Sequence, residues 1–562
     1  MNLRFLYCVS ALPATAIALL MATVIWLSFV SGVPSFPAAN YTFNNFVTIF
    51  GAPATWEVIA NTLVFASIST LVAISGGLIL AWIVERTDFP VKQGMYVAVT
   101  AILLVPGFFP AMGWLFLLGP RIGILNIWLH DLFGLPIGAI SIVNPTGMGV
   151  IHGLQTLPLG FIFLGPPMRA ISGALTDAGD VHGASLRDRI LRIDLPLITP
   201  AIWAATIYCF MISIAAFDVP AFIGFTYRVF TFSTYIYQMT TPAGMGLPEY
   251  GMPAALSLIV VIPSLLLTAL YFQAVKRGRS YQVVTGNAYR TRLQPLSPIA
   301  RRIIMAGIVA YFLLVLGIPF LFVIWTSVIR YFQPPSLAAL ELLTWQNFTT
   351  APWALAIRGL GNTLILTVLV PACDIIFGLI IAWIIVRSRS RMRGVLDFVV
   401  FAPHAIPHIV LALAMLTLGL FVFGGVVRLV GTVWIIAIVY VLAHLAFVVR
   451  TVSICLVQIG SDLEEAALMC GASMPYTMLR IFLPLVANAL LNSSIWIALL
   501  VFRELTMAVI LFTPDNLTLP TVIWSTWYAG QIGISSAMSL VFMALLFPIV
   551  LLCLTRQLSP VR

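Results

Sequence analysis

Apolar runs long enough to cross a lipid bilayer recur along the whole chain. The hydrocarbon core of a bilayer is ~30 Å thick, and an α-helix of about 20 apolar residues spans it. Such runs lie in the first half at 7–31, 57–84, 96–119, 136–165, 198–226 and 253–275, and in the second half at 302–327, 359–386, 395–425, 429–452, 485–513 and 536–555. Only 8% of the residues are charged, whereas a soluble domain carries roughly 25%. The sequence therefore predicts an all-α polytopic membrane protein with about 12 transmembrane helices.

The basic residues predict how these helices are oriented. If the N-terminus is inside, the connections on the cytoplasmic side contain every lysine and arginine except Arg121, Arg228, Arg330, Arg358, Arg428 and Arg503. Because short cytoplasmic loops are enriched in these residues, both termini are expected to be cytoplasmic. The first run, Phe5 to Val30, is longer than the roughly 7–15 apolar residues of a signal peptide, so we expect a retained helix. The net charge of +10 does not indicate nucleic-acid binding, because the basic residues do not form one patch.

The two halves of the chain repeat each other. Asn61-Thr62-Leu63 recurs as Asn362-Thr363-Leu364, and Ala81-Trp82-Ile83 recurs as Ala382-Trp383-Ile384, both at an offset of 301 residues. Pro106 and Pro110 are matched with Pro403 and Pro407 at an offset of 297, and these prolines are expected to kink the third helix of each repeat. The matched motifs keep their order and direction, and each half has an even number of helices, so the repeat is parallel. The two halves are therefore expected to pack about an axis along the membrane normal. We therefore divide the chain into a first repeat (1–275), a basic cytoplasmic linker (276–301) and a second repeat (302–562).

Each repeat contains one long connection between its fourth and fifth helices, at 169–197 and at 453–485. The second connection reads Glu465, Ala466, Ala467, Gly471, Ile481, Leu483 and Pro484, and the first reads Asp177, Ala178, Gly179, Gly183, Ile193, Leu195 and Pro196. Every matched pair is 288 residues apart. This pattern resembles the EAA loop of ABC importer permeases. The second copy matches it completely, whereas the first has Asp177 for Glu and Gly179 for the second Ala.

The resemblance implies that both loops are helical elbows that dock into an ATPase and transmit its closure. The coupling residues that it implies are Asp177, Ala178, Gly183, Leu195, Pro196, Glu465, Ala466, Ala467, Gly471, Leu483 and Pro484. It also implies partners: two ABC ATPase subunits that bind the ATP, and an extracytoplasmic substrate-binding protein. The chain itself is expected to be a transport subunit without catalytic residues or a cofactor, because its lysines, Lys92 and Lys276, follow valine rather than the glycine of a Walker A loop.

The resemblance is strongest to the fused, double-length permeases of the iron(III), thiamine and aminoethylphosphonate group. Phe502-Arg503-Glu504-Leu505 and Pro120-Arg121-Ile122-Gly123 are also similar to that group. It implies a multi-pass protein of the bacterial inner membrane, and iron(III) is the favoured solute. Thiamine, a polyamine and an organophosphonate stay open as alternatives.

Charged residues inside predicted spans are costly and are therefore candidates for function. Asp218 in the fifth helix and Glu504 in the eleventh are 286 residues apart, so they are expected to face each other across the pseudo-twofold axis. Together with Arg503 they either line the solute path, where the carboxylates would favour a cationic or metal-bearing solute, or the carboxylates pair with Arg503 or cap broken helices.

Histidines add a weaker signal. His404 and His408 are four residues apart, which predicts one helical face and is a spacing that can hold a metal. Without a third ligand we predict no metal site and place the pair beside the solute path. Asp374 and His444 are expected to form interhelical hydrogen bonds.

Two other classes of protein are considered. A secondary transporter of the parallel-repeat kind would also contain acidic groups within the membrane in both repeats, but it needs no elbow. A membrane enzyme would need a nucleophile–base pair or a complete metal site, and the sequence indicates neither.

Overall fold

The chain folds almost entirely into α-helices in a computed structural model, which describes residues 3–34, 39–121, 123–241, 249–279, 293–388, 390, 392–424, 426–459 and 462–558. Within these residues the only sheet pairs two strands of two residues, β1 (Val30–Ser31) and β2 (Asn40–Tyr41). The all-α prediction is thus confirmed.

The helices of the first repeat are α1 (Leu3–Ser28), α2 (Asn44–Gly51), α3 (Pro53–Arg86), α4 (Lys92–Leu104), α5 (Phe108–Leu118), α6 (Ile124–Phe133), α7 (Pro145–Arg169), α8 (Gly173–Val181), α9 (Leu186–Arg189), α10 (Leu195–Ala215), α11 (Phe232–Thr240) and α12 (Gly251–Arg279). Those of the second repeat are α13 (Pro298–Phe312), α14 (Ile318–Ser327), α15 (Leu337–Leu340), α16 (Gln346–Thr349), α17 (Trp353–Arg387), α18 (Arg393–Ala405), α19 (His408–Thr417), α20 (Val433–Gln458), α21 (Asp462–Met469), α22 (Met474–Thr477), α23 (Leu483–Phe502), α24 (Ala508–Leu511), α25 (Leu519–Tyr528) and α26 (Ile532–Leu558). Short π-helical segments lie at Ile190–Asp194, Pro220–Gly224, Leu313–Gly317, Leu418–Val422 and Met478–Phe482, and a 3₁₀ turn lies at Phe225–Tyr227.

The number of membrane spans agrees with the prediction. The described residues contain 10 helical segments that are long and apolar enough to cross a membrane, or up to 12 if each of two bent pairs, α4–α5 and α18–α19, is one span. The fourth span begins at Pro145 rather than at 136, because Asn144 caps the helix by accepting a hydrogen bond from the N–H of Gly147. The fifth and eleventh spans, predicted to run to 226 and 513, end at Ala215 and Phe502 and continue as short separate segments.

Proline breaks the third span of each repeat. The bend is 82° between α4 and α5 and 103° between α18 and α19. Pro106 lies in the first break and Pro407 in the second, so the two are 301 residues apart. Helices α4 and α18 begin at Lys92 and Arg393, which are separated by the same offset. The predicted match of Pro106 with Pro403 at 297 is therefore wrong. Pro403 and Pro110 lie inside helices α18 and α5 instead.

The repeated polar residues make the same contacts in both halves. The Thr62 hydroxyl accepts from the N–H of Phe232 and the Thr363 hydroxyl from the N–H of Leu519, both at 3.0 Å. The Asn347 side chain donates to the backbone carbonyls of Ser327, the last residue of α14, and of Ile329. Asn45 does the same at the end of α1, where it donates to the carbonyls of Ser28 and Val30. These matched contacts explain why the sequence repeats at polar positions.

The first helix of each repeat packs against the other repeat. Helix α1 contacts α17, α18 and α19 in addition to α12, and α14 contacts α5 and α26. The contact of α14 with α5 is close, because a Cβ atom on Gly113 would lie 2.3 Å from Cα of Pro319. This cross-packing brings the end of the predicted linker, residues 293–297, beside the end of α3, where Gln294 and Thr87 form a β-bridge. Linker residues 280–292 lie outside the described part of the chain, and 276–279 continue α12.

Candidate functional site

Both predicted coupling loops are helical elbows. In the first elbow α8 is followed by a bend at Gly183 and then by α9, and in the second α21 is followed by a bend at Gly471 and then by α22. The φ angles of these glycines are 72° and 75°, in the left-handed region that only glycine adopts without strain. The glycine of each motif therefore makes the bend of its elbow.

The second arm of each elbow runs directly into a membrane helix. Pro196 and Pro484 lie in the first turn of α10 and α23, and each follows a π-helical turn. In that turn the N–H of Leu195 bonds to the carbonyl of Ile190, five residues back, and the N–H of Leu483 bonds to that of Met478. A proline has no N–H to donate to the carbonyl four residues back, and the wider turn fits this gap. Arm and span thus form one continuous helical segment in each repeat.

The coupling residues are divided between exposed and buried positions. Asp177, Ala178, Gly183, Pro196, Glu465, Ala466, Gly471 and Pro484 are exposed, Leu195 and Leu483 are half-buried, and Ala467 is buried. The acidic residue of each motif therefore lies on the exposed side of the first arm, where another protein can reach it.

Four charged residues beside the first elbow were missed by the sequence analysis. Arg86 forms a buried ion pair with Asp194, with Nη2 3.1 Å from Oδ1. Glu85 accepts two hydrogen bonds of 2.8 Å from Arg169. Arg86 matches Arg387 in the repeat, which was a signal for this position, but its acidic partner has no signature in the sequence.

Inside the membrane, Asp218 and Glu504 follow the breaks that end α10 and α23. Glu504 is held on both carboxylate oxygens: Oε2 lies 3.7 Å from Nδ1 of His408, and Oε1 accepts a hydrogen bond of 3.2 Å from the N–H of Met507, next to α24. The Tyr440 hydroxyl donates to the backbone carbonyl of Glu504 at 3.2 Å. Glu504 therefore also stabilises the broken end of its span.

Asp218 has a different environment. The residue that matches His408 in the first repeat, at the offset of 301 that relates Pro106 to Pro407, is Gly107. A Cβ atom on Gly107 would lie 3.0 Å from Oδ2 of Asp218, so the glycine lies directly against this carboxylate. Among the described residues, Oδ1 of Asp218 has no hydrogen-bond partner. The ionisable groups near enough to interact electrostatically with Asp218 are Glu504, Arg503 and His408. The two carboxylates are thus neighbours with unequal partners.

Arg503 connects the repeats. Its Nη1 donates a hydrogen bond of 2.8 Å to the carbonyl of Val105, which lies in the break between α4 and α5. A guanidinium group at the C-terminal end of a helix satisfies a carbonyl that the break leaves free. The arginine of the second repeat therefore caps the broken helix of the first.

The two histidines do not share a helical face, and this prediction was wrong. Helix α18 ends at Ala405 and α19 begins at His408, so the break separates them. The exposed ring of His404 stacks on Tyr208 of α10, with centroids 5.9 Å apart. No cluster of three or more His, Cys, Asp or Glu that could hold a metal occurs in the described part of the chain.

The predicted interhelical hydrogen bonds of Asp374 and His444 are also not found. Asp374 is fully buried, and neither carboxylate oxygen has a hydrogen-bond partner among the described residues. Nδ1 of His444 bonds to the carbonyl of Tyr440 in its own helix, at 2.8 Å. Its ring lies 6.1 Å from that of His408, so His444 belongs to the surroundings of Glu504.

The 10 to 12 potential spans of the described residues, with two helical elbows that continue into membrane helices, define a multi-pass membrane protein. Residues 374–560 match the family described as "Binding-protein-dependent transport system inner membrane component". The chain is 25% identical to the "Probable ABC transporter permease protein y4fN" of Sinorhizobium fredii, over 89% of this chain and 87% of that protein. It is also 25% identical to the "Ferric transport system permease protein FbpB" of Actinobacillus pleuropneumoniae, over 90% of this chain and 72% of that protein.

A crystal structure of a bacterial ABC transporter that imports the polysaccharide alginate is similar over 47% of this chain and 89% of that chain, with 19% identity and a TM-score of 0.35. The family match covers most of the second repeat, and the two relatives, both ABC transporter permeases, are similar over nearly the whole chain, which is a multi-pass protein of the inner membrane.

Proposed function

We propose that this permease imports iron(III), which an extracytoplasmic binding protein delivers and which two ATPase subunits drive across the membrane. The observation that carries the coupling mechanism is the pair of elbows, each bent at a glycine with positive φ and each continuous with a membrane helix. ATP binds to the partner subunits, and this chain binds no cofactor. The elbows and both termini face the cytoplasm, where the ATPases are.

Coulomb attraction supports a cationic or metal-bearing solute. Asp218 and Glu504 lie at matching breaks in the membrane interior, and one oxygen of Asp218 has no protein partner in the described structure. A carboxylate in a medium of low polarity attracts a positive charge strongly, and an unpaired buried charge is costly unless something compensates it. A passing cation would do so. The similarity to the ferric transport permease of Actinobacillus pleuropneumoniae favours iron(III) among such cations.

A binding screen of the cognate binding protein tests the solute. Iron(III), thiamine, a polyamine and 2-aminoethylphosphonate are titrated in parallel, and each retained ligand is then offered to vesicles that contain the full transporter. The proposal expects iron(III) to bind and to be taken up with ATP. If one of the other three ligands binds and iron(III) does not, the proposed solute is wrong, but the proposed coupling mechanism is unaffected.

A secondary transporter is the alternative of a different class. It would move its solute along an ion gradient without an ATPase. Uptake that persists in vesicles without any ATPase subunit, and that stops when the ion gradient is dissipated, would refute the proposed mechanism as a whole.

A further inference from the structure

Two consecutive residues at the end of α3, Glu85 and Arg86, have opposite charges and are each only 4% exposed. Arg86 donates to Oδ1 of Asp194 at 3.1 Å and to the hydroxyl of Thr176 at 2.8 Å. The other oxygen of Asp194 accepts from the indole N–H of Trp82 at 3.2 Å. Both carboxylate oxygens are therefore satisfied, as a buried ion pair requires.

Glu85 is equally well satisfied. Nε of Arg169 donates to Oε2 and Nη2 to Oε1, both at 2.8 Å. The Tyr96 hydroxyl donates to Oε1 at 2.7 Å. A two-point arginine–carboxylate pair fixes orientation as well as distance.

These contacts hold both ends of the first elbow. Arg169 is the last residue of α7, directly before the elbow, and Asp194 is the last residue before α10. Thr176 lies within α8, the first arm. Because Glu85 and Arg86 are neighbours in one helix, the entry and the exit of the elbow are bound to a single point of α3.

The linker between the repeats also binds the end of α3. The N–H of Gln294 donates to the carbonyl of Arg86 at 2.8 Å, and the carbonyl of Gln294 accepts from the N–H of Asp88 at 3.1 Å. The side-chain oxygen of Gln294 accepts a hydrogen bond from Arg189 in the elbow. Asp88 in turn forms an ion pair with Arg301 of α13, at 3.0 Å. The start of the second repeat is thus tied to the elbow of the first.

The second elbow cannot form these two ion pairs, because the matching positions are apolar. Val386 replaces Glu85 at the offset of 301, and Val457 and Phe482 replace Arg169 and Asp194 at the offset of 288. What the repeats share is the arginine at the end of the helix: Arg86 donates to the carbonyl of Ile171, and Arg387 donates to that of Ile459, which is its equivalent. The Glu85–Arg169 and Arg86–Asp194 ion pairs therefore have no counterpart at the matching positions of the second repeat.

We propose that Glu85, Arg86 and Gln294 are positioning residues of the first elbow, which bind it to α3 and to the linker so that elbow, span and the start of the second repeat move as one body. This inference rests on the proposed role of the elbows in coupling.

Hydrogen exchange of the purified full-length chain tests the junction without any partner protein. The elbow segments 173–194 and 462–482 are followed in the wild type and in three variants: Asp194→Asn, Gln294→Ala and the control Asp188→Asn. The control removes a carboxylate of the same elbow whose ion pair with Arg192 is exposed. Exchange in the first elbow should rise about tenfold or more for Asp194→Asn, because Arg86 is left buried without its charge partner, and should rise less for Gln294→Ala.

The control should leave exchange within about twofold of the wild type, since exposed ion pairs contribute little. The second elbow should not change in any variant. If Asp194→Asn and Gln294→Ala both leave the first elbow as protected as the control does, the junction does not position it. If Asp194→Asn fails to fold, the milder Gln294→Ala decides alone.

A functional readout separates positioning from mere stability. In the assembled transporter, solute moved per ATP hydrolysed should fall several-fold for Gln294→Ala and for Asp194→Asn while the ATPase stays bound, and Asp194→Glu should restore it in part. An unchanged ratio for both variants overturns the positioning role. Failure of the wild-type chain to bind an ATPase at all would instead refute the proposed function.

Discussion

Replacing Gly113 by alanine should loosen the contact between the two repeats. A Cβ atom at this position would lie 2.3 Å from Cα and 2.5 Å from the carbonyl oxygen of Pro319, whereas ordinary contacts begin near 3.4 Å. Both neighbours are backbone atoms of α14, so a side-chain rotation cannot relieve the clash. Overpacking of this kind costs about 1–3 kcal/mol, and the helix propensity of alanine returns up to ~1 kcal/mol. We expect a net loss of about 1 kcal/mol in the free energy of unfolding.

The measurement is the unfolding midpoint of the purified chain in detergent. Gly361→Ala is the matched control, because Gly361 lies inside α17 and a Cβ atom there would have nothing within 4 Å. The control should be neutral or stabilise by up to ~1 kcal/mol. Equal midpoints for the two variants would show that α14 does not pack closely on α5, and the cross-packing of the first helices would be refuted.

Three further predictions concern transport. Gly471→Pro should abolish coupled uptake while the chain is still made in normal amounts, because a proline cannot adopt the positive φ of the bend; normal uptake with normal ATPase binding would contradict this. Glu465→Ala should weaken ATPase binding more than Asp177→Ala in a pull-down, since only the second elbow has the complete motif; equal losses would count against that asymmetry. Asp218→Asn and Glu504→Gln should each slow uptake without lowering ATPase assembly, and if both transport normally, the carboxylates are structural and the case for a cationic solute fails.

The spans and the elbows were predictable because their signals are local. Long apolar runs identify membrane helices, and an acidic residue, a glycine and a proline at fixed spacing identify an elbow. The bend at Gly471 depends only on the positive φ angle of that residue, which favours glycine. Such features need no knowledge of what lies opposite in the fold.

The breaks inside the spans were not predictable in the same way. Apart from Asp218, the chain stays apolar from 216 to 225, so hydropathy alone continues the fifth helix where the structure ends it at Ala215. In the third spans, each repeat has two prolines, and matching identical residues paired Pro106 with Pro403, although the break pairs it with Pro407. Taking the third span as a continuous helix also placed His404 and His408, which are four residues apart, on one face.

Contacts between distant residues were invisible to the sequence analysis. Arg86 and Asp194 are 108 residues apart, and only the folded chain brings them together. Gln294 reaches the first elbow because α13 and α14 cross to the first repeat, which no local pattern encodes. The unequal partners of Asp218 and Glu504 likewise depend on Gly107 and His408 in another helix.

The rate of ATP-driven iron(III) uptake into proteoliposomes tests the central claim most directly: that this chain couples a partner ATPase to import through its elbows. The vesicles contain the chain with its ATPase and binding protein, and the wild type is compared with Glu465→Lys, which reverses the charge on the exposed arm of the second elbow. The account predicts uptake that requires ATP and the binding protein, and a loss of about tenfold or more in the variant, as expected when a charge at a protein contact is reversed. Undiminished uptake by Glu465→Lys, or uptake by the wild type without the ATPase, would contradict it.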